Sequence, residues 1–318
     1  MHTPCLILVP LAMLLALTAS AAELSFEDIA FTARCDGTEQ RYVIGLPPGL
    51  DVSAPHDALI ALHGHGSDRW QFVKDERGEC KAPRDIAMAR NMLFISPDYR
   101  AKTSWMGPKA EADLVQIIEE VRGKYSINRV FLCGGSMGAA GTLTFTALHP
   151  ELIAGAAAMN GTANHLEYEN YQDAIRESFG GAKAELPEEY KKRSAEYWPE
   201  RFTMPFAMSL SGQDEAVPPQ SGLRLADVLR KMGRDVLVIY REEQGHFSTY
   251  EDTRAIVEHI LARADALGAH HLVHAVEHGP ALGRHGRADV AGEVVGRGEP
   301  GAEERGGGGP RGRADHEG

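Results

Sequence analysis

From Leu261 to Gly318 this 318-residue chain has no lysine, serine, threonine, asparagine, glutamine, isoleucine or aromatic residue. A segment of Ala, Arg, Asp, Glu, Gly, His, Leu, Pro and Val alone has too little bulky apolar surface to offset the entropy lost on ordering it. Residues 269–318 are therefore expected to be a low-complexity, disordered tail that builds no core. All of these residue types have GC-rich codons, the composition that out-of-frame translation of a GC-rich gene gives. His270, His274 and His278 recur there at i, i+4 spacing, but Gly and Pro disfavour a continuing helix and no carboxylate or thiol completes a ligand set. No metal and no organic cofactor is expected.

Other absences narrow the field further. No basic patch interleaved with aromatics precedes the tail, and the net charge is -12, which argues against a nucleic-acid partner. The apolar stretch Leu6–Leu17 is too short to span a bilayer comfortably, so no membrane span is expected. No Lys or Arg precedes that stretch, yet the small residues Ala19, Ser20, Ala21 and Ala22 follow it, and residues 1–22 read as a signal peptide of a secreted or periplasmic protein. Cys5 would leave with it. Of the remaining Cys35, Cys80 and Cys133, the last lies in an apolar run and reads as a small buried hydrophobe, which leaves Cys35 and Cys80 as the candidate bridge. No internal repeat is visible. With 43% hydrophobic residues, residues 23–268 are expected to form one catalytic domain.

What is present is most informative at residues 129–142, RVFLCGGSMGAAGT. Val130–Cys133 is a continuous apolar run, as in a strand buried on both faces of a parallel sheet. The chain then turns on Gly134-Gly135-Ser136-Met137-Gly138 into a helical segment that ends at His149-Pro150. Gly-x-Ser-x-Gly at a strand-to-helix junction lifts a serine hydroxyl off the end of the sheet. On its own the pattern also fits a glycine-rich turn with a solvated serine.

The rest of the body alternates strand and helix signals. Two strands flank Asp36-Gly37, then come strands in DALIALHGHG and MLFISPD, helices in PRDIAMARN and PKAEADLVQIIEEVRGKY, and the serine strand. LIAGAAAMNG is the sixth strand, followed by a polar, Tyr- and Glu-rich insertion over residues 161–203; MPFAMSLSG and DVLVIYRE are further strands, each followed by a helix. Such alternation predicts an α/β fold with a mostly parallel sheet and helices on both faces. Sites in such sheets lie in loops leaving the strand carboxyl ends. Asp214 in SGQDEAVPP and His246 in EEQGHFSTY follow strands in this way, in the order Ser, Asp, His that an α/β-hydrolase requires.

Taken together, HGHG (63–66), GGSMG (134–138), GQDEAVP (212–218) and QGHF (244–247) make residues 40–266 resemble the α/β-hydrolase superfamily, in its prolyl oligopeptidase-like and secreted esterase branches. The resemblance implies Ser136 as nucleophile, His246 as general base, Asp214 as the acid, and an oxyanion hole from the backbone N–H groups of Met137 and His65. His63 would shape the oxyanion loop, and Glu215, Glu242 and Glu243 are the alternatives to Asp214. Tyr99, Trp105 and Phe247 are candidate substrate-binding residues, Asp98 a support for its loop, and the tyrosine-bearing stretch Asn164–Phe202 a candidate lid. No large N-terminal domain of the prolyl oligopeptidase kind is present, so endopeptidase activity is not expected. The expected activity is hydrolysis of a small-molecule or carbohydrate-linked ester through an acyl-enzyme. A serine exopeptidase is the alternative within the superfamily, and a non-catalytic binding protein on a hydrolase fold the alternative outside it.

Overall fold

The structure, a computed structural model, describes residues 24–278, with side chains as far as Gly268. The proposed signal peptide and most of the tail lie outside the described residues. Eight strands form one sheet: β1 (Ser25–Thr32), β2 (Glu39–Leu46), β3 (His56–Leu62), β4 (Leu93–Pro97), β5 (Ile127–Gly135), β6 (Gly155–Met159), β7 (Phe206–Ser211) and β8 (Val236–Arg241), in spatial order β1-β2-β4-β3-β5-β6-β7-β8. β2 pairs antiparallel with both β1 and β4, and every pairing from β4 to β8 is parallel. This is the mostly parallel sheet that the alternating signals predict, in the α/β-hydrolase architecture that the resemblance implies.

The helices are α1 (Gln71–Lys74), α2 (Gly78–Ala89), α3 (Pro108–Lys124), α4 (Met137–Leu148), α5 (Gln172–Phe179), α6 (Pro187–Lys192), α7 (Gln220–Lys231) and α8 (Tyr250–His278). Successive strand residues point to opposite faces, and the core divides accordingly. Ala58, Ile60, Leu62, Val130 and Leu132 join α3, α4 and α7 in one layer, while Leu59, Ala61, Phe131 and Cys133 join α2 and α8 in the other. The insertion after β6 carries α5 and α6 and packs Tyr168, Ile175, Phe179 and Tyr190 into the first layer.

Three expectations need correction. The PRDIAMARN helix begins at Gly78 rather than at Pro83, with Pro83 inside it. Proline is favoured in a first helical turn, which is why it misleads as a start signal. Cys35 and Cys80 are not bridged: Cys35 is exposed beside Arg100, 3.0 Å from its guanidinium, whereas Cys80 is buried on the other face of the sheet among the α2 and α8 residues. Lastly, α8 runs through Gly268 to His278, and Leu261 and Ala264, within the compositionally biased segment, are buried. A single glycine costs a helix only about 1 kcal/mol, and Leu and Ala at helical spacing are enough to pack. His270, His274 and His278 fall on this helix, but their side chains lie outside the described residues.

Candidate active site

The Gly-x-Ser-x-Gly turn forms because its glycines leave no room for a side chain. A Cβ on Gly134 would lie 2.4 Å from the Gly138 carbonyl oxygen, and one on Gly138 would lie 2.0 Å from the carbonyl oxygen of Leu62 at the end of β3. That close approach turns the chain so sharply that Ser136 takes φ 57° and ψ -118°. A non-glycine residue held there stores about 1–3 kcal/mol of strain, which the surroundings must hold in place. The Ser136 N–H donates to Met159 O at 2.9 Å and its carbonyl accepts from Ala140 N–H at 3.0 Å, tying the turn to β6 and to α4.

Three loops bring the expected groups together. Ser136 Oγ lies 2.8 Å from His246 Nε2, and His246 Nδ1 lies 2.6 Å from Asp214 Oδ2. Asp214 is buried, and its other oxygen accepts the Val217 N–H at 2.8 Å, which holds the carboxylate toward the imidazole. Glu215, Glu242 and Glu243 are exposed, and none of the three has a hydrogen bond to His246. An imidazole whose Nδ1–H donates to a carboxylate presents an unprotonated Nε2 to the serine hydroxyl, the tautomer that accepts its proton.

The second loop of the site is built around HGHG. His63 is buried with Nδ1 2.9 Å from Gly64 O and Nε2 3.2 Å from Asp98 O, and burial lowers its pKa so that it stays neutral. Gly64 N–H donates to Gln71 Oε1 at 2.7 Å, and Gly66 N–H to Lys102 O at 2.7 Å. Between them the His65 N–H has no hydrogen-bond partner among the described residues, and neither has the Met137 N–H at the start of α4. Asp98, expected to support its own loop, accepts instead from both the backbone N–H and the guanidinium of Arg69 at 2.9 Å and so steadies the segment that follows HGHG.

The expected wall residues divide. Trp105 and Tyr99 do not line an open cleft: both are fully enclosed. Tyr99 Oη donates to His63 O at 2.5 Å, and Trp105 Nε1 donates to His65 Nδ1 at 3.1 Å. A buried aromatic with a polar tip sends that tip to the nearest acceptor, and here the acceptors are His63 O and His65 Nδ1 of the HGHG loop. Both therefore act from behind the site. Phe247 is 52% exposed and is not among the residues lining the Ser136 cavity. From the insertion, Tyr171 sets its ring 4.5 Å from that of His65, tilted by 47°, and joins the lining, while Tyr168 and Tyr190 are buried. The insertion is thus a packed wall.

The cavity beside Ser136 has a volume of about 200 Å³. Besides His65, His246 and Tyr171 it is lined by Gln71, Arg77, Glu79 and Asn160, none of which the sequence singles out. Arg77 and Glu79 lie in a polar stretch without motif, and only the packing of α2 brings them to the Ser136 cavity.

The model of the prolyl oligopeptidase family matches residues 100–266. The chain belongs to the prolyl oligopeptidase family. Its match spans the serine turn and the Asp214 and His246 loops, and it marks the chain as a serine hydrolase. Among solved structures, a fluorophosphonate-binding serine hydrolase of Staphylococcus aureus is similar at 16% identity and a TM-score of 0.60, over 75% of this chain and 99% of that one. A ferulic acid esterase is similar at 14% identity and a TM-score of 0.59, over 77% of this chain and 97% of that one. Acylaminoacyl peptidase of Pyrococcus horikoshii is similar at 15% identity and a TM-score of 0.57, over 78% of this chain but 41% of that one. At these identities the likeness is one of fold. No curated protein matches the chain in sequence.

Proposed function

We propose that this member of the family hydrolyses carboxylic esters by acyl transfer, with Ser136 as nucleophile, His246 as general base and then acid, and Asp214 as the carboxylate that orients it. The observation that carries the proposal is the pair of short contacts, 2.8 Å from Ser136 to His246 and 2.6 Å from His246 to Asp214. His246 Nε2 takes the Ser136 proton as Oγ adds to the acyl carbon, and the imidazolium gives it to the departing alkoxide. Water, activated by the same nitrogen, then releases the acid. The oxyanion in both halves is held by the unpartnered N–H groups of His65 and Met137, fixed in place before reaction by the bonds on either side of each.

Ester rather than amide hydrolysis is supported by the ferulic acid esterase, whose length the chain spans almost completely, against less than half of the acylaminoacyl peptidase. The family match itself supports the peptidase alternative. We further propose export, on the strength of the Leu6–Leu17 run and the small residues after it. One experiment tests the central reading. A fluorophosphonate probe labels the protein once, and Ser136→Ala abolishes both labelling and the hydrolysis of 4-nitrophenyl esters, a loss on the order of 10⁶-fold. Equal labelling of the Ala variant overturns the assignment, and faster cleavage of aminoacyl anilides than of esters moves it to the peptidase reading.

A further inference from the structure

The acyl-transfer steps leave one carboxylate in the Ser136 cavity unused. Glu79, in the first turn of α2, has a side chain 17% exposed, and its Oε2 lies 3.9 Å from where a Cβ on Gly135 would stand. The carboxylate thus sits against the residue that precedes the nucleophile. α2 is held there by close approach to the histidine loop: a Cβ on Gly78 would lie 2.4 Å from the Tyr250 nitrogen. Glu79 Oε1 is 3.1 Å from the Arg77 guanidinium, but Arg77 is shared, since its Nε bonds Asp75 Oδ2 at 2.7 Å. The next cation, Arg84, is paired at 2.6 Å with Glu76. Two carboxylates therefore divide one guanidinium, and the cluster is net negative.

Burial raises the Glu79 carboxyl above its ordinary pKa, against the opposing pull of Arg77, of His246 and of the Ser248 N–H. A carboxylate in that condition lacks compensating charge. In the lining of the same cavity, Asn160 is 3% exposed and its Oδ1 has no hydrogen-bond partner among the described residues, while its Nδ2 is engaged with Ser248 Oγ at 3.3 Å. Glu79 keeps the Arg77 and Ser248 donors but is short of positive charge, whereas Asn160 Oδ1 is a buried acceptor without a donor among the described residues; a ligand that brings charge and donors relieves both costs.

We propose that this cavity takes a positively charged amine carried by the substrate's acyl group, with Glu79 as the residue that sets this specificity and Asn160 Oδ1 as a second acceptor. The inference rests on the hydrolase reading above and adds a substrate class to it. An ammonium offers three N–H donors from a compact charge, enough for both acceptors, and the same carboxylate disfavours an acyl group ending in a carboxylate.

Three 4-nitrophenyl esters of similar acyl size test it: β-alanyl, butanoyl and succinyl. The readout is the ratio of kcat/KM for the β-alanyl ester to that for the butanoyl ester, which cancels any general loss of activity in a variant. Glu79→Gln is expected to lower that ratio by about tenfold to a hundredfold, the scale of one charge-assisted hydrogen bond, and to raise the succinyl-to-butanoyl ratio. Ratios unchanged within about twofold overturn the proposal. A second measurement needs no variant: propylammonium should slow fluorophosphonate labelling of the wild-type protein at lower concentration than propanoate does. Equal protection by the two ions overturns the proposal, whereas absence of any labelling counts against the hydrolase reading itself.

Discussion

Ser136 stands between two walls of opposite character. On one side Tyr99, Trp105, Tyr168 and His165 form a dry aromatic layer, with Trp105 5.5 Å from Tyr168 and edge-on to His165 at 6.3 Å between ring centroids. On the other, Gln71, Arg77, Glu79 and Asn160 bring to the cavity charges and one acceptor unpaired among the described residues, Asn160 Oδ1. The aromatic wall touches the oxyanion loop through two N–H or O–H donors and is otherwise packing, so changes there should appear in stability. The charged wall contributes little to the core, and Arg77 is 58% exposed, so changes there should appear in which substrate is chosen. Machinery common to every substrate lies on the line between them.

That line carries the largest expected effect. Asp214→Asn keeps the shape of the side chain but lets its amide favour the wrong imidazole tautomer, for which a loss of about 10⁴-fold in kcat, some 5.5 kcal/mol of barrier, is the scale known from a serine protease. The loss should be the same for esters that differ in acyl charge. Glu215→Gln and Glu243→Gln alter exposed side chains and should cost at least about 10²-fold less, with circular dichroism unchanged in all three. A crippled Glu215→Gln beside a near-normal Asp214→Asn would show that the carboxylate on His246 is not the working one.

The line between the walls is also what the sequence made legible, and for a physical reason. Gly134 and Gly138 are demanded by contacts within the turn itself and with the end of the neighbouring strand, so the requirement is written locally at 134–138. The loops of Asp214 and His246 follow β7 and β8 in the same way, and strand alternation gave the sheet. Side-chain direction was not legible. Trp105 and Tyr99 were placed in the right loop, but φ angles of 45° and 31° turn the backbone there into the left-handed region and carry both rings inward, which no pattern of residue types announces. The charged wall was invisible because Glu79 reaches Gly135 only through the packing of α2, whose true start lay ahead of the proline that seemed to begin it.

The next expected effect compares the walls directly. Trp105→Ala removes a fully enclosed indole and should destabilise the protein by about 3–5 kcal/mol, read as a lower urea midpoint. Arg77→Gln removes a 58%-exposed guanidinium, and Glu79, whose carboxyl pKa burial already raises, can take up a proton in its place, so the cost should stay well below that of Trp105→Ala. If the two variants unfold at the same midpoint, the division between a packing wall and a selecting wall is wrong. Trp105→Phe adds a finer test, because it keeps an aromatic ring while removing the indole N–H donor to His65 Nδ1 together with the volume of the five-membered ring. It should lower kcat with little change in KM, as expected of a residue that positions the oxyanion loop from behind.

The smallest effect reads the dryness of the aromatic wall through pH. His165 is fully buried between Trp105 and Phe179, and burial, helped by the nearby Arg193 charge, lowers its pKa from 6.5 to about 3. The folded protein therefore keeps this imidazole neutral, while the unfolded chain protonates it near 6.5. Stability from this source is complete above that value and is lost as pH falls below it, because the unfolded state then binds the proton that the folded state refuses. The loss levels off only below the folded value. From pH 6.5 down to about pH 5 one such histidine removes about 2 kcal/mol at most, at 1.36 kcal/mol per pH unit. His165→Phe takes away the titrating group and keeps an aromatic ring against Trp105 and Phe179. It also removes Nδ1, a buried atom without a partner among the described residues, and leaves Thr144 Oγ1 its bond to Arg193 O at 2.7 Å. The variant should be as stable as the wild type or more so at pH 7, and the gap in its favour should widen as pH falls from 6.5 to 5. A wild type and variant whose urea midpoints run parallel across that interval would mean that His165 is not held neutral, and that water reaches the wall described as dry.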